Sequence, residues 1–253
     1  MTDERMKLVE PILNTIENDD IKEFAIVLLD SLPEYIWTVP ASSTGKYHPE
    51  YTLGDGGLMR HQMAVVRFLN FFFELEQYNS RLTSREMDLM RVAGLVHDGM
   101  KSGSQEQFDN SKYTKFEHPI LMAIKVRETT GYLPENELGF IADVISKHMG
   151  QWNTDKRNPI SLPKPSDKFS RMLHVADYLA SRKCLIMDFD NFEAPKQEKP
   201  DLDTFIMPFG KKHKGELLVD IAKNDPTYID WMRKELDRFP FNVLIKELDA
   251  RGN

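Results

Sequence analysis

Asp177 restricts what this chain can become more than any other residue. The segment from about Asp167 to Met187 sets Phe169, Leu173, Ala176, Asp177 and Ala180 on one face at helical spacing, so a carboxylate stands in an apolar stripe. Burying a lone carboxylate is costly unless a cation or a metal accompanies it. The same conflict recurs on three other predicted helices. His61 shares a face with Val65, Phe68, Phe72 and Leu75 on a helix over about 58–75. His97 follows Leu89, Val92, Ala93 and Val96 on a helix that opens with a Thr83/Glu86 capping box. His148 aligns with Leu138, Ile141 and Ile145 on a helix over about 136–149. Taken singly, each histidine is more readily explained as a hydrogen-bonded core residue than as a ligand. Taken together, His61, His97, His118 and His148 with Asp98 and Asp177 supply six N/O ligands, enough for two divalent ions with Asp98 between them.

Composition narrows the chemistry. Among 253 residues there is one cysteine, Cys184, against seven histidines, which excludes an internal disulfide and a cysteine-rich zinc site. The 33 basic and 40 acidic side chains leave a net charge of −7, so the chain does not coat nucleic acid by bulk charge, and a phosphate partner must be held locally. The opening MTDERMKLVE lacks the basic flank and apolar core of a signal peptide. No apolar run approaches the roughly 20 residues of a membrane span, so the expectation is a cytoplasmic protein with no membrane partner. No GxxxxGK[ST] or GxSxG motif is present, and Gly54, Gly56 and Gly57 read as a helix-entry turn.

The rest of the chain reads as helices with short breaks. Apolar residues recur at helical spacing from Met6 to Leu32, where Pro33 closes the segment, and a loop follows over 40–57. Pro119 suits the first position of a helix ended by Gly131, with His118 at its mouth. Pro159, Pro163 and Pro165 mark a loop before the Asp177 helix. Residues 188–203, DFDNFEAPKQEKPDLD, lose periodicity and read as a linker. Residues 204–253 follow as a small α+β module, with a strand-like Phe205-Ile206-Met207, a basic turn and two helical stretches.

The order His61, His97-Asp98, His118, His148 and Asp177 resembles the HD superfamily of metal-dependent phosphohydrolases. The matching segments are GGLMRH, LVHDGMK, FEHP, ISKHMG and HVADYLASR, which together cover roughly 50–187. The resemblance implies a mainly α fold, a helical HD bundle over 1–187, that hydrolyses a phosphate ester by attack of a metal-activated hydroxide. It implies that His61, His97, Asp98 and Asp177 hold a first metal, and that Asp98 bridges to a second held by His118 and His148. One or two ions of Mn, Fe, Mg, Co or Zn are compatible with such ligands. Lys101 matches a lysine that contacts substrate phosphate, with Lys147, Arg182 and Lys183 as further candidates whose alternative is a solvated helix charge. Trp152 could stack on a base or cover the edge of the core. The chain reads His-Asp-Gly-Met-Lys where relatives more often carry an aliphatic residue and then Gly before the lysine. It also lacks the Gly-Tyr-Pro signature of the cyclic-dinucleotide branch after His148.

Among HD relatives the pattern is similar to the HD domain of 3′→5′ exoribonucleases, which implies a nucleotide or a single-stranded nucleic-acid end as substrate. A small-molecule nucleotidase and a non-catalytic metal- or nucleotide-binding regulator are the alternatives. A second resemblance covers about 45 residues. MPFGKKHKGELLVDIAKNDPTYIDWM is similar to the C-terminal module of exodeoxyribonuclease X-like proteins, which makes Lys211, Lys212 and Lys214 candidate nucleic-acid contacts, a solvated turn being the alternative. His48, His174 and His213 are expected to be bystanders.

Overall fold

The computed structural model describes residues 1–42, 45, 48–108, 114–185, 187–189, 200–209, 212–236 and 240–252. The chain divides into two compact units, Met1–Pro195 and Lys196–Asn253.

The first unit is helical. Its elements are α1 (Asp3–Leu13), α2 (Asp19–Asp30), α3 (Gly57–Glu74), α4 (Glu76–Asn79), α5 (Ser84–Val96), α6 (His118–Glu128), α7 (Glu135–Ser146) and α8 (Lys168–Ala180), with short 3-10 turns between some of them. Helix α3 lies at the centre, packed by α1, α5 and α8, while α6 packs on α7 and α7 on α5. That position changes which of its residues are buried. Met59, Met63, Val66, Leu69 and Phe73 join His61 and Val65 inside, whereas Phe68 and Phe72 are half-buried and Leu75 is exposed, contrary to the single stripe expected. A helix packed on several sides buries more than one face.

The expected run from Met6 to Leu32 is two helices with a break at 14–18. Asp88, wholly buried on α5, explains the break. One of its carboxylate oxygens accepts the backbone N–H groups of Glu17 (3.0 Å) and Asn18 (2.9 Å) and the Asn18 side-chain amide (2.6 Å). The other accepts from Arg91 at 2.6 Å, so the buried charge is paired and hydrogen-bonded. Arg85 on the same helix ties Asp20 of α2 (2.7 Å) to Glu137 of α7 (2.6 Å). The Thr83/Glu86 capping box forms as expected, Glu86 N–H donating to the Thr83 hydroxyl and Thr83 N–H to the Glu86 carboxylate.

Three other boundaries differ from expectation. Helix α7 stops at Ser146, so His148 stands in the turn beyond it. Helix α8 stops at Ala180, where the Ser181 N–H and hydroxyl both bond the Asp177 carbonyl, and the chain then turns. The proline-containing loop holds an antiparallel hairpin, β1 (Thr154–Asp155) and β2 (Asn158–Ser161), closed at its base by Asn153 and Leu162.

The described residues of the second unit form α9 (Leu218–Asn224), α10 (Pro226–Glu235) and α11 (Phe241–Ala250), three helices where two stretches were expected. The strand-like piece contributes a single antiparallel bridge, Ile206 to Leu217. Met207, Leu218, Ile221, Met232 and Leu244 form the core of the unit with Leu202. Both ends of the expected linker 188–203 are packed. The Phe189 ring lies 5.1 Å from that of Tyr51, tilted by 38°, in the first unit, and Arg251 bonds Asp203 at 2.6 Å in the second. Residues 190–199 lie outside the described ones. Among the described residues no helix is long and apolar enough to cross a membrane.

Candidate metal centre

Five helices and the turns at their ends bring His61, His97, Asp98, His118, His148 and Asp177 to one place. Entry to α3 sets the first of them. Gly56 has φ +70°, and a Cβ on Gly57 would lie 2.1 Å from the Thr52 carbonyl oxygen, so the loop closes on the helix only if 57 is glycine. His97 caps α5 and Asp98 begins the tight turn beyond it. Here Gly99 replaces the aliphatic residue of relatives, and Leu32 and Met122 occupy the space a side chain would need. Lys101 N–H bonds the Asp98 carbonyl in that turn, and its ammonium reaches the Asp98 carboxylate. Tyr35 steadies the same turn, its hydroxyl donating to the Gly103 carbonyl at 2.7 Å and accepting from Ser102 N–H at 3.1 Å. Burial pushes the Tyr35 hydroxyl up to about 12, which keeps it a donor.

Asp98 divides the cluster. Its Oδ2 faces His61 Nε2 (4.0 Å) and His97 Nε2 (3.8 Å), and its Oδ1 faces His118 Nε2 (2.9 Å) and His148 Nε2 (3.7 Å). Asp177 joins the first half, 3.0 Å from His61 and 3.8 Å from His97. The Nε2 atoms of His118 and His148 are 3.3 Å apart. Among the described residues two groups meet the spacing of a metal site, His61/His97/Asp177 and His97/Asp98/His148.

Three of the imidazoles are oriented from behind. Nδ1 of His97, His118 and His148 bonds the carbonyls of Gly94 (2.9 Å), Lys115 (2.7 Å) and Ile145 (2.8 Å). A carbonyl accepts only, so Nδ1 carries the proton and the Nε2 lone pair points into the cluster, the arrangement of a metal-ligating histidine. Among the described residues His97 Nε2 is buried without a hydrogen-bond partner, and it stands between two carboxylates. These residues fit a divalent cation.

The electrostatics follow from burial. Burial pushes the Asp98 carboxyl up, but Lys101, His97 and His118 outweigh it and hold it well below the usual carboxylate range. Burial opposes Asp177 in the same way, and His61 and His97 hold it low. For His97 burial is outweighed by Asp98 and Asp177, and its pKa is raised. His148 is pushed down to about 3 by burial and by the neighbouring His97 and His118.

The cluster opens into a cavity of about 630 Å³. Lys101, Trp152 and Arg182 line it. Lys147 does not, because its ammonium is engaged by Asp143 (2.6 Å) and Asp167 (3.5 Å) at the start of α8. Lys183 is exposed and also absent from the lining. In the second unit Lys211 lies outside the described residues, Lys212 is paired with Asp225, and Lys214 is exposed.

None of the three expected bystander histidines stands idle. His48 lines the cavity, 5.9 Å from the His61 ring, and burial with His61 and Lys101 pushes it down to about 3. His174 donates from Nδ1 to the His148 carbonyl at 2.8 Å and lies flat under Gly150, where a Cβ would meet its ring at 2.2 Å. The sequence does carry a signal for His174: it is one turn before Asp177 on α8. His48 sits in a loop whose path periodicity does not reveal. His213 of the second unit bonds Glu216 (3.0 Å) and Asp225 (2.9 Å).

Residues 59–182 match the HD domain family, and residues 208–237 match the family described as exodeoxyribonuclease X-like C-terminal. No curated protein and no solved structure matches the chain. The segment from α3 to the end of α8, which brings four histidines and two aspartates together beside one cavity, is an HD domain, and the chain joins it to an exodeoxyribonuclease X-like C-terminal module.

Proposed function

We propose that the protein is a metal-dependent phosphohydrolase acting on a nucleotide or on a single-stranded nucleic-acid end. The observation that carries this reading is the Asp98 carboxylate, whose two oxygens face two separate pairs of histidines. His61, His97 and Asp177 with Asp98 would hold one ion, and His118 and His148 with Asp98 a second. Two divalent ions so placed would lower the pKa of a shared water and neutralise the charge that builds on a phosphoryl group under attack.

The chain's own residues do the remainder. The carbonyls of Gly94, Lys115 and Ile145 fix the ring planes of His97, His118 and His148 before anything binds, so little reorganisation is left for the reaction. Lys101 shares its ammonium with Asp98 and faces the cavity, where a phosphate oxygen can take it as donor. The second unit supports a nucleic-acid end over a small phosphate ester through its family alone.

The test compares substrates and metal content together. The Mn²⁺-loaded protein should shorten a labelled oligonucleotide in steps without releasing phosphate from mononucleotides. Release of phosphate from mono- or triphosphates with the oligonucleotide intact makes it a nucleotidase. A purified protein that holds no transition metal and gains no activity with Mn²⁺ or Fe²⁺ overturns the enzymatic reading.

A further inference from the structure

The cavity has a wall that the metal ligands and Lys101 do not use. Trp152, in the turn after α7, and Tyr178, on α8, stack with ring planes 15° apart and centroids 5.9 Å apart. The Arg182 guanidinium carbon lies 4.2 Å from the Tyr178 centroid, and Arg182 Nε bonds the Tyr178 carbonyl at 3.2 Å. His174 meets Trp152 edge-on at 5.9 Å. Trp152 is 43% exposed and Tyr178 37%, and neither ring is part of the hydrophobic core. Packing therefore does not account for two large aromatic side chains standing open on a cavity that also contains His61, Asp98 and Lys101.

We propose that Trp152, Tyr178 and Arg182 form a stacking platform for the nucleobase of a nucleoside phosphate. This inference rests on the phosphohydrolase reading for the placement of the phosphate, beside Asp98 and Lys101. Stacked aromatic faces bind every base by its π-surface, and a guanidinium over the ring adds a cation–π contribution. Distance supports the pairing. Tyr178 is the residue after Asp177, with Cα atoms about 3.8 Å apart, so platform and carboxylate belong to one turn of α8 and one nucleotide can reach both. Ser181 and Arg182, just past the end of α8, also line the cavity. His174 props the platform and at the same time bonds the His148 carbonyl, so base wall and ligand turn are braced by one ring.

Binding isolates the platform from catalysis. Isothermal titration of the full chain in chelator, where neither compound is turned over, compares AMP with ribose 5-phosphate. AMP should bind about tenfold or more tightly, the difference being the base. Trp152→Ala and Tyr178→Ala should each remove most of that difference and leave ribose 5-phosphate unchanged, while Trp152→Phe retains it. Equal binding of the two compounds by the parent protein overturns the proposal. So does a Trp152→Ala variant that binds AMP as the parent does, or one that weakens both compounds alike. If the parent shows the base-dependent advantage yet hydrolyses neither nucleotides nor oligonucleotide with any metal, the platform stands and the phosphohydrolase reading falls.

Discussion

Each of the two units contains a histidine set among carboxylates, and the two settings do opposite things with the same residue types. In the first unit His97, His118 and His148 give Nδ1 to backbone carbonyls and keep Nε2 for the cluster, where His97 Nε2 has no hydrogen-bond partner. In the second, His213 has a carboxylate on each ring nitrogen, Glu216 on Nδ1 and Asp225 on Nε2, with Lys212 also on Asp225. The first arrangement leaves one ring nitrogen, His97 Nε2, for an incoming cation to satisfy. The second is neutralised from within, because an imidazolium between two carboxylates already has what it needs. Whether a His/Asp cluster awaits a metal is therefore decided by where the far ring nitrogen goes, and a carbonyl there is the informative partner.

The largest expected effect comes from removing the shared carboxylate. Asp98→Ala should lower activity at least about 100-fold, more than the loss of an outer partner, and reduce bound metal by elemental analysis. Full activity in that variant would break the distinction between the two settings. His213→Ala should leave metal content unchanged.

Chelation should separate the units next. A cation at one hundred times its dissociation constant stabilises the state that binds it by about 2.7 kcal/mol. Hydrogen exchange should therefore quicken across 59–182 when the metal is stripped and stay constant across 212–236. Equal quickening in both would show that the second cluster also holds metal.

A smaller effect is expected at Gly150, whose φ of +57° and contact with the His174 ring leave no room for a side chain. Gly150→Ala should cost about 1–3 kcal/mol from backbone strain alone. By displacing His174 from the His148 carbonyl it should also weaken metal binding about 10–100-fold. His174→Ala made in that background should recover part of the stability, since the clash is gone; strict additivity would sink this account.

The smallest effect is a pH dependence confined to the second unit. Asp225 and Glu216 raise the His213 pKa, so its contribution is complete below the unfolded value of about 6.5 and is lost as pH rises through the raised folded value. Lys212, Thr227 and His213 lower Asp225, whose contribution is complete above about 3.8 and is lost as pH falls through the lowered folded value. Protection of α9 and α10 in hydrogen exchange should therefore be greatest between those two values, and His213→Gln should flatten its alkaline side.

The helical first unit and the gathering of the six ionisable residues were legible because burial of a carboxylate is a strong physical conflict, visible as Asp177 in an apolar stripe. What escaped was set by groups that periodicity does not weigh. The break at 14–18 depends on a carboxylate 70 residues away, Asp88, that takes two backbone donors. His174 and Lys147 exchanged their expected importance for a similar reason. One is turned towards a backbone carbonyl, and the other is claimed by two aspartates that only the fold brings near.

Asp88 also sets a limit on how this protein can be dissected. The family segment 59–182 contains Asp88, Arg91 and all six cluster residues, yet three of the four donors to the Asp88 carboxylate belong to Glu17 and Asn18. A fragment trimmed to the family boundaries would leave that interior carboxylate with Arg91 alone and the turn after Asp98 without Tyr35. A fragment that keeps both contacts has to include Glu17, Asn18 and Tyr35, all of which precede the family segment.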